Sequence, residues 1–163
     1  YLDQPLSIGF GQTISQPYIV ALMTQSLDIQ PEHQVLEIGT GYGYQTAILA
    51  QLARKVYTME IIEELSRQAR INVSGVGLAN VEYCVGDAWH GWPDKIYFDR
   101  ILVAAVAEEI PDMLLEQLAV TGKMVIPLGE GEQQILYLVE KQEKQIKKTF
   151  LCYCRFVKLV RQI

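Results

Sequence analysis

Apolar residues along this chain alternate between two periods, and the switches between them divide it into elements. Val35, Leu36 and Ile38 form a short run with β-branched members, the pattern of a strand buried in a parallel sheet. Lys55–Met59 reads as a second strand closed by Glu60, and Val81–Val85 as a third ending in Gly86-Asp87. Phe98–Ala104 reads as a fourth strand and Lys123–Pro127 as a fifth. Between them Gln45–Ala53, Ile61–Val73 and Ile110–Leu118 have helical composition, the last with Pro111 near its start. An earlier helix opens at Pro17 and carries Ile19, Val20, Leu22, Met23 and Leu27 as a stripe that stops near Asp28. Tyr1–Pro17 sustains no period and is punctuated by Pro5, Gly9, Gly11 and Pro17, so it reads as loop.

This alternation predicts an α/β fold: a doubly wound, mostly parallel, Rossmann-like sheet in a single domain over residues 1–163. Gln134–Val139 and a run within Phe150–Val160 are linked too closely for a crossover helix, which needs about a dozen residues. They are predicted to close the sheet as a C-terminal antiparallel hairpin.

The first strand runs into Gly39, Gly41 and Gly43 at alternate positions, then into a helix. A ligand can lie directly against such a turn, because no Cβ intervenes, and the helix start behind it offers free N–H groups. An ordinary glycine-rich turn that binds nothing has the same local look. A dinucleotide fingerprint needs G-x-G-x-x-G, and Tyr44 stands where its third glycine belongs, which argues against an NAD-dependent enzyme. E-x-G-x-G-x-G with Glu37 before the turn instead resembles motif I of class I S-adenosylmethionine-dependent methyltransferases.

Composition narrows the classes further. Half of the residues are hydrophobic and the net charge is −5, an acidic balance with no footprint for nucleic acid. No apolar run approaches the roughly 20 residues of a membrane span, and no signal peptide opens the chain. Cys84, Cys152 and Cys154 fit neither a disulfide framework nor a zinc site, so a reducing cytoplasm is expected and no metal. Lys141, Lys144, Lys147 and Lys148 surround the expected hairpin turn; a solvated loop, or a weak attraction for acidic substrates, accounts for them.

Open parallel sheets bind ligands over the carboxyl ends of their strands. Glu37, Glu60 and Asp87 fall at or beside three successive strand ends, and Glu60 stands 17 residues after Gly43. A carboxylate there can accept hydrogen bonds from the vicinal hydroxyls of a ribose. Singly, each reads as a surface charge or a helix cap; it is their recurrence at successive strand ends that points to a nucleoside site. Ser15, just before Pro17, reads locally as the N-cap of the first helix. His33 and His90 are the only histidines and neither sits in a nucleophile motif.

The segments GQTISQP, LEIGTGYGYQTAILA, GDAWHGWP, YFDRILVAA, EEIPDMLLEQL and MVIPLG, in this order, resemble the protein-L-isoaspartate O-methyltransferase family from about Tyr1 to Leu159. The T-I-S-x-P segment carries the assignment, since motif I identifies only the superfamily. The resemblance implies methyl transfer from S-adenosylmethionine to the α-carboxylate of L-isoaspartyl residues in aged proteins, leaving S-adenosylhomocysteine. Isoaspartyl proteins and peptides are then the partners, with neither nucleic acid nor membrane. It implies Ser15 as the active serine, within Gln12, Thr13, Ile14 and Ser15 beside the methyl donor. It further implies Gly39, Thr40 and Gly41 under the methionine part, Glu60 at the ribose, and Asp87 with Ala88 at the adenine, and Glu37 is counted with them among the donor-binding residues. The chain departs from the family at Tyr42, at Ala88, where glycine is frequent, and at Val157-Lys158-Leu159, where V-P-L is frequent. The family's helical N-terminal extension is expected to be lacking here. A methyltransferase-fold nucleoside-binding module without catalysis is the rival reading.

Overall fold

A computed structural model describes residues 3–161, so Tyr1 and Leu2 of the expected loop lie outside the described residues. The rest of that stretch is not loop. Leu6–Gly9 (β1) and Gln12–Ile14 (β2) pair antiparallel, with Leu6 opposite Ile14 and Ser7 opposite Thr13. Phe10 and Gly11 reverse the chain between them, both at positive φ (54° and 70°), as a two-residue hairpin turn requires. Strands of four and three residues are too short to show a period, so only their punctuation was visible. The Asp3 carboxylate accepts the Tyr18 N–H at 2.9 Å and ties the ribbon's base to the following helix.

That helix, Pro17–Leu27 (α1), has proline in its first turn and buries Ile19, Val20, Met23 and Leu27. Its N-cap is Gln16, not Ser15, and no side chain caps it. The alternation then runs Gln34–Ile38 (β3), Tyr44–Leu52 (α2), Lys55–Glu60 (β4), Glu63–Gly75 (α3) and Val81–Val85 (β5). A 3-10 turn at Ala88–His90 leads to Phe98–Val103 (β6), Asp112–Gln117 (α4), Leu118–Glu130 (β7), Gln133–Lys141 (β8) and Ile146–Cys154 (β9).

Seven strands form one sheet in the order β5-β4-β3-β6-β7-β8-β9. The pairs from β5 through β7 are parallel, and β7-β8 and β8-β9 are antiparallel, which is the doubly wound sheet with closing hairpin that the sequence predicts. Strand order reverses between β3 and β6, so the crevice of the fold opens over their carboxyl ends. Side chains alternate across the sheet. Leu36, Ile38, Ile101 and Val103 join Tyr57, Phe98 and Leu114 on one face, while Val35 and Leu102 join Met23, Leu27 and Leu49 of α1 and α2 on the other. Burying each such side chain contributes roughly 1.5–3 kcal/mol.

Several boundaries differ from the sequence reading. Helix α3 starts at Glu63, not Ile61, because Ile62 is extended (φ −99°, ψ 108°) and serves as its N-cap, with the Ile61 and Ile62 N–H groups donated to the Glu60 carboxylate. Helix α4 is only six residues, and the chain passes directly from it into β7 five residues before the expected Lys123. Strand β9 begins at Ile146 and ends at Cys154, after which the chain leaves the hairpin and makes a parallel bridge from Lys158 to Val106. Lys141 is not a solvated loop charge: its Nζ donates to the carbonyls of Leu115 (2.8 Å) and Leu118 (2.7 Å), satisfying the end of α4. One side chain stitches the far end of the sheet. Asn80 Nδ2 donates to Ala50 O at 2.9 Å and Ala53 O at 3.0 Å, closing α2. Asn80→Ala is expected to lower unfolding free energy by roughly 1–2 kcal/mol, since it leaves helix-end carbonyls unpaired. Urea denaturation measures this, and an unchanged midpoint would refute it.

Candidate functional site

The glycine turn closes over the end of β3. Gly39 donates to Met59 O of β4 at 2.8 Å, and Gly43 donates back to Thr40 O at 2.9 Å. Gly41, at φ 54°, aims its N–H at Glu60 Oε2, 2.9 Å away. Gly43 is the N-cap of α2 at φ 85°, and a Cβ there would lie 2.8 Å from Val73 Cγ2 of α3. This third glycine therefore serves the packing of α2 against α3, whereas Gly41 serves the open side of the turn.

Glu60, at the end of β4, is buried and held by three backbone N–H groups. Oε2 accepts from Gly41, and Oε1 accepts from Ile61 at 3.0 Å and Ile62 at 3.1 Å. A carboxylate has about four lone-pair sites, so this one is oriented by the backbone with acceptor capacity left for a ligand. Asp87, after β5, is also buried. Its Oδ1 accepts the Trp89 N–H at 2.9 Å and caps the 3-10 turn, and its Oδ2 lies 3.9 Å from His90 Nδ1. Gly86 and Ala88 on either side of it line the cleft.

Glu37 occupies a different layer. Its side chain is fully buried on the face of the sheet covered by α2, opposite Thr58 in the β3-β4 register. Oε2 accepts from Thr46 Oγ1 at 2.5 Å and from Thr58 Oγ1 at 2.6 Å, and Thr58 Oγ1 lies 2.6 Å from Thr40 Oγ1. Oε1 is buried with no hydrogen-bond partner among the described residues. Burial pushes this carboxyl up to about 7, against the opposing pull of the two threonine hydroxyls.

These elements surround a cleft of about 980 Å³, its open mouth included. Of the residues singled out in sequence, Gln12, Thr13, Ile14, Ser15, Gly39, Thr40, Gly41, Glu60 and Ala88 line it together. Glu37 lies behind its wall and Asp87 is directed into the 3-10 turn. The β1-β2 ribbon makes this possible: it folds over the glycine turn, with Ile8 Cδ1 3.4 Å from where a Gly41 Cβ would be. Ser15 is thereby set at the rim, half-buried, two residues before α1. Sequence reasoning missed Tyr44 and Gln45 at the start of α2, Ala104 and Ala105 after β6, and Val157–Val160. The last of these arrive by two hydrogen bonds, Val106 N–H to Val157 O and Leu159 N–H to Val106 O, both 2.8 Å. Position after a glycine turn could have marked Tyr44 and Gln45; nothing local marks the C-terminal stretch. No helix among the described residues is long and apolar enough to cross a membrane.

Three comparisons bear on this site. The family model for protein-L-isoaspartate(D-aspartate) O-methyltransferase matches residues 1–163. A protein-L-isoaspartate O-methyltransferase 2 of Nitrosococcus oceani is 52% identical over 143 residues, 88% of this chain and 65% of the relative. A protein-L-isoaspartate O-methyltransferase of a Picosynechococcus species is 48% identical over 159 residues, 98% of this chain and 71% of the relative. The chain thus spans about two thirds of the length of these curated relatives. Among solved structures, a beta-aspartate methyltransferase of Plasmodium falciparum in complex with S-adenosyl-L-homocysteine superimposes with a TM-score of 0.87 at 26% identity, covering 99% of this chain and 82% of that one.

Proposed function

Because this chain belongs to the protein-L-isoaspartate(D-aspartate) O-methyltransferase family, we propose that its cleft takes S-adenosylmethionine and that it methylates the α-carboxylate of L-isoaspartyl residues in damaged proteins. The observation that carries this reading is the ribbon, which brings the GQTISQP segment and Ser15 to the rim of a cleft built on the glycine turn. The residues present fit the donor. Gly39, Thr40 and Gly41 offer an open backbone for its methionine part, Glu60 an oriented carboxylate for its ribose, and Gly86 and Ala88 a small-residue wall for its adenine, with Asp87 holding that wall's turn. Gln12, Thr13 and Ile14 cover the donor from the ribbon, and Glu37 supports the turn from below.

The bound sulfonium supplies an activated methyl group without a metal. The chain's own residues need do little acid–base chemistry, because a carboxylate substrate is already ionised at neutral pH, its reference pKa being about 4. Their task is alignment, which can contribute roughly 7–11 kcal/mol when both reactants are held in register. Ser15 orients the carboxylate, or the amide beside it, by hydrogen bonding and attacks nothing. The ribbon and Val157–Val160 both line the cleft and help to exclude water from it. The reading makes isoaspartyl proteins and peptides the partners, with no nucleic acid and no membrane, and places the enzyme in a reducing cytoplasm, which suits its three free thiols.

The test is methyl transfer to an isoaspartyl peptide beside its aspartyl twin of identical sequence. Ester formation on the first alone supports the reading, and donor binding without transfer to either overturns it in favour of a non-catalytic nucleoside-binding module. Glu60→Ala is expected to weaken S-adenosylhomocysteine binding by roughly ten- to hundredfold, the range for a hydrogen bond to a charged acceptor. Calorimetry reads this directly, and unchanged affinity would remove Glu60 from the site.

A further inference from the structure

Resting on the reading of the cleft as a methyl-donor site, we infer that Glu37, acting through Thr58, is a positioning residue that sets whether Thr40 offers the cleft a hydrogen-bond acceptor or a donor. The geometry is a chain of single hydroxyls. With Glu37 ionised, Thr58 must spend its one proton on Glu37 Oε2, 2.6 Å away. The 2.6 Å contact between Thr58 and Thr40 can be donated from either side, so Thr40 must then supply the proton for it. Thr40, which lines the cleft, is left with lone pairs only. That is the polarity a cation needs, and the donor's α-ammonium is the cation on its methionine part. With Glu37 protonated on Oε2, the chain reverses: Glu37 donates to Thr58, Thr58 donates to Thr40, and Thr40 gives up one of its two lone pairs and carries a free proton, which makes it a poorer acceptor for the ammonium.

The surroundings leave the switch to Glu37 itself. From β6 and α2 the facing side chains are uncharged Leu102 and Thr46. The titratable groups whose charges interact with it are Glu60, ending β4, and Tyr83 of β5; neither is a cation that would hold it ionised. Burial leaves both states accessible in ordinary buffers, with the carboxyl at about 7. A bound ammonium favours the ionised form, so binding should expel a proton.

The test is calorimetric binding of S-adenosylhomocysteine between pH 5.5 and 8.0, in buffers of different ionisation enthalpy. 5′-Methylthioadenosine, which lacks the amino-acid part, serves as the second ligand. For the protein as it stands, S-adenosylhomocysteine affinity is expected to rise by about tenfold across this range, the ratio carried by one charge-assisted hydrogen bond, with proton release. Methylthioadenosine affinity should stay flat. Thr58→Val, which cuts the chain, should lose the rise, and Thr58→Ser, which keeps the hydroxyl, should restore it. Any titration of the ligand's own ammonium appears in all variants and cancels. Should Thr58→Val fail to fold, Glu37→Gln must show the same flat profile. Identical pH profiles in all proteins, or the same rise for methylthioadenosine, would overturn the inference while leaving the donor reading intact. Failure of both ligands to bind at any pH would overturn the donor reading and this inference with it.

Discussion

Ser15→Ala is expected to leave a folded protein that still binds S-adenosylhomocysteine, while methyl transfer falls by about 100-fold or more, the usual loss when one donor leaves an aligned site. Local sequence offers a competing account, in which Ser15 caps the first helix and its loss costs about 0.5–2 kcal/mol of stability. The structure separates the two. The cap position belongs to Gln16, whose backbone carbonyl accepts the first helical bond from Val20 N–H at 3.1 Å, and no side chain supplies a cap bond. Proline at the helix start also removes one of the N–H groups that a capping hydroxyl would satisfy. The mutant should therefore melt with the parent protein. Thermal melting and turnover on one preparation decide it: near-normal turnover would end the catalytic proposal, and a lowered melting point with normal turnover per folded molecule would return Ser15 to a structural role.

What could be read from sequence follows from how local each signal is. The five parallel strands announce themselves as continuous apolar runs, because both faces of β3, β4 and β6 are covered. The closing hairpin was legible from spacing alone, although β9 starts four residues before Phe150, where lysines 147 and 148 hide the strand pattern. The β1-β2 ribbon was not legible, since three or four residues cannot establish a period of two. Within the site, the glycine turn is a local feature of one strand–turn–helix unit and Glu60 closes the very next strand, so both were found. The Glu37–Thr46–Thr58–Thr40 array draws on β3, α2, β4 and the turn, and no spacing rule connects a glutamate to a threonine 21 positions away. Val157–Val160 reach the cleft through the backbone hydrogen bonds of Val157 and Leu159 with Val106, far earlier in the chain. Contacts of this kind are consequences of topology and carry no mark in the residues that make them.

Glu37 yields the second large effect, in stability against pH. Burial raises its carboxyl from 4.5 to about 7 in the folded protein, while the unfolded chain keeps the ordinary value. Below pH 4.5 both states carry the proton and the group's contribution to stability is at its fullest. Between 4.5 and 7 the unfolded chain loses its proton first, so rising pH draws the equilibrium towards unfolding. Above 7 both are ionised and the loss is complete, roughly 3 kcal/mol by linkage. Glu37→Gln removes the titration but places an amide where Oε1 has no partner, so its stability is offset at every pH and only the difference curve is informative. Urea denaturation of both proteins from pH 4.5 to 7.5 is expected to show the parent's stability falling relative to Glu37→Gln by roughly 3 kcal/mol, with most of the fall above pH 5. Titrating groups that do not interact with Glu37, His33 among them, whose value is lowered by burial, contribute equally to both curves and drop out. Parallel curves would mean that Glu37 keeps an ordinary carboxylate value despite its burial, held ionised by the hydroxyls of Thr46 and Thr58. Thr40 would then remain an acceptor at every pH, and the reversible chain beneath the cleft would have only one direction.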